Sequence, residues 1–260
     1  MKILFTSDLH IINSTIRQQL GIVREKIKEE KPDVLVVSGD ISDETYTKAN
    51  DLLGCLDVPV VYCLGNHEFV HNEMGANTVE NTLGYYKSKI GESNAHCLDA
   101  EGHFDIGDVR FVGNVLWYDG TLSNRPDADA TIRSISKNWL DSMIVGFEPV
   151  AEHGKCVAQI LNNLEDVGDK KTVLVTHCVP HRALNWFDRN RPMSIYNSYS
   201  GVANLFDANG IYPDVALCGH THRKMKYVHI SPDGRETRCF NVGNDYFWEN
   251  NDVLFEVIEV

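Results

Sequence analysis

The densest apolar run in the chain is Val34-Leu35-Val36-Val37, entered from Asp33 and closed by Ser38-Gly39-Asp40. No polar residue alternates through it, so it predicts a strand buried on both faces in the middle of a sheet. Gly39 permits a tight turn that carries the Asp40 carboxylate just past the sheet's carboxyl edge, where open α/β sheets bind ligands. Lys2 to Ser7 predicts a second strand. Between the two, Ile16, Leu20, Val23 and Ile27 recur at helical spacing, giving a helix from about Asn13 or Ser14 to Glu30 that Lys31-Pro32 stops. The unit is β-α-β, with parallel strands and a right-handed crossover.

Further on, Asp43 is a candidate N-cap for a helix to about Leu56, with Tyr46, Ala49, Leu52, Leu53 and Leu56 inward. Val58 to Leu64 predicts a buried strand and Val79 to Ile90 a helix, whereas His96 to Phe104 has no clear period. Arg110 to Leu116 predicts a strand ending in Trp117-Tyr118. Residues 119–149 are polar, hold a helix near Ile132 to Ile144, and read as an insertion: a rim, a lid or a plain surface excursion. Val150 to Leu164 predicts a helix with Val157, Ile160, Leu161 and Leu164 inward. Thr172 to Val175, Asp214 to Cys218, Lys224 to Ile230, Arg238 to Val242 and Val253 to Val260 predict strands, with a turn at Pro232-Asp233-Gly234. Short turns between the later strands suggest antiparallel pairing there.

Composition changes the picture in three ways. A chain of 260 residues supports one large core, so a single domain over 1–260 is expected rather than two. A net charge of −13 repels phosphate backbones at long range, which disfavours general nucleic-acid binding. No apolar run approaches the roughly 18 residues that cross a bilayer, and Met1 to Thr6 reads as a strand rather than a basic signal region, so a cytoplasmic protein is expected. The seven cysteines contain no Cys-x-x-Cys pair and read as small hydrophobes of a reducing compartment.

The candidate chemistry sits where predicted strands end. Asp8 and His10 follow the first strand, two residues apart on extended chain, and so point the same way. Asp40 follows the second strand, Asn66 and His67 the third, His177 the strand at Thr172, and His220 and His222 the strand at Asp214. Two carboxylates, an amide oxygen and several imidazoles are too many donors for one tetrahedral ion. They suit two divalent ions of higher coordination sharing a bridge.

These blocks, Asp8-Leu9-His10, Gly39-Asp40-Ile41-Ser42-Asp43, Gly65-Asn66-His67-Glu68, His177 and Gly219-His220-Thr221-His222, resemble in order the motifs of the calcineurin-like metallophosphoesterase superfamily. The resemblance implies a four-layer αββα sandwich of two mixed sheets with a dinuclear site at the strand ends. It implies that Asp8, His10, Asp40 and His222 hold one metal and that Asp40, Asn66, His177 and His220 hold the other, with Asp40 bridging. His67 would steady the phosphoryl oxygens and protonate the leaving group, and Asp43 would orient the His10 ring. A bridging hydroxide would attack a phosphomonoester or phosphodiester in line. The metals are two divalent ions from among Mn, Fe, Zn, Co and Ni, with Mn the first choice in vitro.

Several features bear on the branch of the family. Protein phosphatases of the superfamily carry Arg-Gly where this chain has Glu44-Thr45 and another arginine where it has Phe69, so protein phosphatase activity is not expected. Repair nucleases pair a longer chain with a DNA-binding extension. The Gly113-Asn114-Val115-Leu116-Trp117 strand and the Asn241-Val242-Gly243-Asn244 ending resemble small stand-alone prokaryotic-type members. Arg182, together with Trp186, Arg189, Arg191 and Asn197, follows the fourth block and could grip a phosphate or stack a base. Three activities stay open: hydrolysis of a small phosphate ester or nucleotide, nuclease action on DNA or RNA, and a non-catalytic metal-binding scaffold.

Overall fold

The computed structural model describes residues 1–43, 48–70, 77–133, 139–244 and 253–260. Its strands are β1 (Lys2–Thr6), β2 (Val34–Ser38), β3 (Val60–Cys63), β4 (Ala95–Cys97), β5 (His103–Ile106), β6 (Val109–Asn114), β7 (Lys171–Thr176), β8 (Val215–Cys218), β9 (Lys224–Ile230), β10 (Glu236–Val242) and β11 (Glu256–Glu259). They form two sheets, ordered β11-β1-β2-β3-β4 and β5-β6-β7-β8-β10-β9. In the first, β1 to β4 run parallel and β11 closes the edge antiparallel to β1. In the second, β6, β7, β8 and β10 run parallel while β5 and β9 pair antiparallel at the two edges. Antiparallel pairing in the later chain is thus confined to β9 with β10 and β11 with β1, because the chain leaves β8, runs back as β9 at the edge and returns as β10 between them, parallel to β8.

Strand alternation divides the core into three layers. Ile3, Phe5, Val34, Val36, Val61 and Cys63 face Phe111, Val173, Val175, Val215 and Leu217 across the gap between the sheets. Their neighbours Leu4, Leu35, Val37, Val60 and Tyr62 point the other way, onto the helix Ile16–Glu30 through Leu20 and Val23. Leu174, Ala216 and Cys218 meet Val157 and Ile160 of the helix Pro149–Leu164 on the far side. This is the αββα sandwich. A valine-rich strand without polar alternation is what a sheet covered on both faces requires. Emptying the central layer, as in Leu217→Ala, costs about 2–5 kcal/mol.

Two helical expectations differ from the structure. The described helix after β2 is Ala49–Leu53, and its N-cap is Lys48 in extended conformation, not Asp43. Tyr46 and the other residues 44–47 lie outside the described residues, as does His71. No continuous helix spans Ile132 to Ile144: the chain has a helix at Ala128–Arg133 and a 3-10 turn at Leu140–Met143, with Trp139 extended between them (φ −91°, ψ 133°). Ile132 and Ile144 are both buried, so the apolar spacing is real but belongs to two elements. No helix among the described residues is long and apolar enough to cross a membrane.

Candidate metal centre

Five parallel strands, three from one sheet and two from the other, end at the same edge of the sandwich. β1 delivers Asp8 and His10, β2 delivers Asp40 and Asp43, β3 delivers Asn66 and His67, β7 delivers His177, and β8 delivers His220 and His222. The loops after β1 and β2 are laced together: Asp8 N–H donates to Gly39 O at 3.1 Å, His10 N–H to Asp40 O at 2.9 Å and Ile11 N–H to Ile41 O at 2.9 Å. The two sheets are joined here as well. His220 N–H donates to Asp8 Oδ1 at 3.0 Å across the sheets, while Ser7 Oγ, donating to Ser38 O at 2.7 Å, ties β1 to β2 within the first sheet.

Asp8, His10, Asp40, His220 and His222 all adopt positive φ, between 41° and 67°, and they are five of the seven non-glycine residues that do so among the described residues. Each such residue costs of order 1–3 kcal/mol, and the strain clusters where the surroundings over-determine the backbone. Two glycines are fixed by contact rather than by φ. A Cβ at Gly65 would lie 2.1 Å from Asp40 Oδ1, and one at Gly219 would lie 1.8 Å from Ser7 Oγ and 2.3 Å from Asp8 Oδ2.

Hydrogen bonds set the imidazole tautomers. His177 Nδ1 lies 2.9 Å from Ser38 O, and His220 Nε2 lies 2.8 Å from Tyr199 O. A carbonyl oxygen only accepts, so both nitrogens carry the proton. The remaining nitrogens, His177 Nε2 and His220 Nδ1, are therefore lone-pair donors, and they face each other at 3.0 Å. Asn66 Oδ1 lies 3.1 Å and Asp40 Oδ2 3.3 Å from the same His177 Nε2. With both rings neutral, four electron-pair donors thus converge, an arrangement relieved by a cation between them, whether a proton or a metal ion.

The second cluster is Asp8, His10, Asp40 and His222. His10 Nε2 is 3.8 Å from Asp40 Oδ2, and His222 Nε2 is 3.5 Å from Asp8 Oδ1. Metal bonds of about 2.1 Å place neighbouring ligand atoms roughly 3 Å apart and opposite ones roughly 4.2 Å apart. Both clusters fall in that range, and Asp40 belongs to both, so the residues fit a pair of divalent ions.

Protein charge alone gives the same answer. Burial would lower the His177 imidazole, yet Asp40 beside it lifts it to about 10. Burial, and then the His177 charge, push His220 down to about 3. The pair therefore takes up one proton between two facing lone pairs, in the place a metal ion would occupy. His67 is lifted to about 9 because Asp40 and Asp43 outweigh its burial. A dication nearby would bring that value down.

Supporting groups surround the candidate ligands. Asp43 Oδ1 is 2.7 Å from both His10 Nδ1 and His67 Nδ1. These contacts outweigh burial and hold the Asp43 carboxyl below the usual carboxylate range. Glu68 accepts backbone N–H groups from Asp40, Ile41, Ser42 and Gly65 at 2.7 to 3.1 Å and so clamps the β2 and β3 loops together. Cys178 packs in the core with its thiol pushed well up by burial and joins neither cluster.

A cavity of about 430 Å³ opens onto the site. Asn66, His67, His220 and His222 form its polar floor, and Trp139, Phe187 and Tyr196 form an aromatic wall beside Arg223. Tyr196 stacks on Phe187 with ring centroids 4.9 Å apart, and Trp139 stacks on Tyr199 at 4.0 Å. Arg182, expected at the site, is exposed and absent from the lining. Its 3-10 turn, Arg182–Leu184, packs toward β9 and β10. Arg191 and Arg223 lie over the Trp186 ring at 5.5 and 5.4 Å. Asn197 is buried and structural, accepting from Asn185 and donating to Pro192 O. Sequence reasoning missed Trp139, Asp141 and Arg223; the position of Arg223 directly after His222 was the one available signal.

Two facing mixed sheets thus carry, at their shared strand ends, a donor set suited to two divalent ions. The chain belongs to the calcineurin-like phosphoesterase family, whose model matches residues 1–224. Its fold is similar to that of the phosphopantetheinyl hydrolase from Mycobacterium tuberculosis, with a TM-score of 0.70 and 19% identity over 99% of this chain and 95% of that one. A dimetal phosphatase from Danio rerio is similar with a TM-score of 0.50 and 13% identity, over 94% of this chain and 87% of that one. At these identities the likeness is one of fold.

Proposed function

We propose that the chain hydrolyses small phosphate esters, using a divalent pair held by Asp8, His10, Asp40 and His222 on one side and by Asp40, Asn66, His177 and His220 on the other. The observation that carries this reading is the convergence of His220 Nδ1, Asn66 Oδ1 and Asp40 Oδ2 within 3.3 Å of His177 Nε2. When bound, the ions supply positive charge at the phosphoryl oxygens and an activated water in line with the leaving group. His67, held through Nδ1 by Asp43, presents its other nitrogen at the cavity floor, where it gives a proton to the leaving oxygen. Asp40 is anionic and has two oxygens, which is what a shared ligand needs.

The organic part of the ester packs against Trp139, Phe187 and Tyr196. Arg223 is the one Lys or Arg among the described residues lining this cavity, and the chain carries −13 overall. Both facts favour a small ester with an apolar or planar group over a long nucleic acid, which needs many cationic contacts. The test is a screen of manganese-loaded protein against p-nitrophenyl phosphate, bis-p-nitrophenyl phosphate, nucleotides, glycerol phosphate and a short oligonucleotide. Aryl or nucleoside esters should have the lowest KM, and Tyr196→Ala should raise it. Turnover of none of them would favour the scaffold reading, and preference for the oligonucleotide would favour the nuclease.

A further inference from the structure

We propose that Asp141, which lies outside all five ligand blocks, sets which end of the Asn66 amide faces the cation site. The proposal rests on Asn66 being a ligand as proposed above. Asp141 is fully buried. Its Oδ1 accepts from Asn66 Nδ2 at 2.9 Å. Its Oδ2 accepts from Tyr118 OH at 2.8 Å and from Trp139 Nε1 at 3.2 Å.

An amide is nearly symmetric in shape, so packing alone does not distinguish its oxygen from its nitrogen. Only the oxygen can bind a cation. A carboxylate accepts hydrogen bonds and donates none, so Asp141 Oδ1 compels the NH2 group of Asn66 toward itself and leaves Asn66 Oδ1 aimed at His177 Nε2. The Asp141 carboxylate is in turn held by Trp139, a residue of the cavity wall. The segment 119–149 thereby reaches Asn66 through the Asp141 side chain.

The substitution Asp141→Asn makes a directional prediction. The new amide must choose which neighbour its NH2 faces. Toward Oδ2's place stand a phenol, which can turn and accept, and an indole N–H, which cannot. Toward Oδ1's place stands the Asn66 amide, which can flip and accept. The unyielding indole therefore directs the new NH2 at Asn66, and Asn66 flips its own NH2 into the cation site.

The experiment is manganese titration of the full-length protein by calorimetry, with melting temperature measured alongside. Wild type should take up two ions per chain. Asp141→Asn should bind one as before and the other about 10–100-fold more weakly, the usual effect of losing a group that orients a ligand. Adding Trp139→Phe to Asp141→Asn removes the indole donor, lets the amide turn back and should recover most of that affinity, which a purely structural role for Asp141 would not do. If Asp141→Asn does not fold, Asp141→Ser leaves the Asn66 amide untethered and is read the same way. Undiminished affinity for both ions, or parallel loss of both without recovery in the double variant, overturns the proposal. Wild type binding fewer than two ions instead overturns the two-metal reading beneath it.

Discussion

His67 and His10, 57 positions apart, are held by the same oxygen: Asp43 Oδ1 lies 2.7 Å from Nδ1 of each. One carboxylate thus orients a ring assigned to a metal and a ring assigned to the proton. Because His67 belongs to neither proposed ligand set, His67→Gln should keep both metals while kcat falls by about 10²–10⁴, the usual contribution of a positioned acid. The loss should be smaller for p-nitrophenyl esters, whose leaving group departs without protonation, than for alkyl esters. Elemental analysis and the two kcat ratios check this; metal loss in proportion to activity would make His67 a ligand.

Asp40 is common to both donor clusters. Asp40→Asn removes the charge that serves both ions, so metal content after dialysis should fall at both sites, to below about one ion per chain. Retention of two ions would remove the bridge from the mechanism.

Glycine substitutions separate the site from the scaffold. Gly65→Ala drives a methyl into Asp40 Oδ1 at 2.1 Å and should destabilise by about 3 kcal/mol and lower metal content. Gly84 lies exposed in the helix Val79–Ser88 with nothing within 4 Å of a Cβ, so Gly84→Ala should stabilise by about 0.5–1 kcal/mol with kcat unchanged. Urea denaturation measures both.

His181 makes folding sensitive to acid away from the site. Its Nδ1 accepts the Ala183 N–H at 3.1 Å, which a protonated ring cannot do, and the ring stacks on Tyr227 at 4.7 Å. Burial, with the nearby His229, holds it at about 4. The unfolded chain titrates near 6.5, so the unfolded state binds more protons between those values. Stability is complete above about pH 6.5 and is lost as pH falls toward 4. Discounted for partial exposure, the contribution is about 1–2 kcal/mol. His181→Asn keeps an acceptor and cannot titrate, so its urea midpoint should fall less between pH 7 and pH 4; equal slopes would refute the assignment.

Strand positions and the motif blocks at their ends were legible in the sequence because each rests on local chemistry. The Val34 run is apolar without alternation, and the blocks are short residue types at strand ends, so Lys224–Ile230 is a strand over the bounds that its pattern predicts. That β10 lies parallel to β8 with β9 outside it, and which of Asn66's amide ends faces inward, depend on neighbours far along the chain.

The sequence by itself determined the layers, the order of the strands that carry the candidate ligands and the residue types gathered at their ends. Tertiary structure decided the rest: the positive φ that aims Asp8, His10, Asp40, His220 and His222 inward, the carbonyls of Ser38 and Tyr199 that fix two imidazole tautomers, and the replacement of Arg182 by Trp139, Phe187, Tyr196 and Arg223 at the cavity. The physical reason is that a side chain's type is local, whereas its direction and protonation are set by groups that only folding brings within about 3 Å.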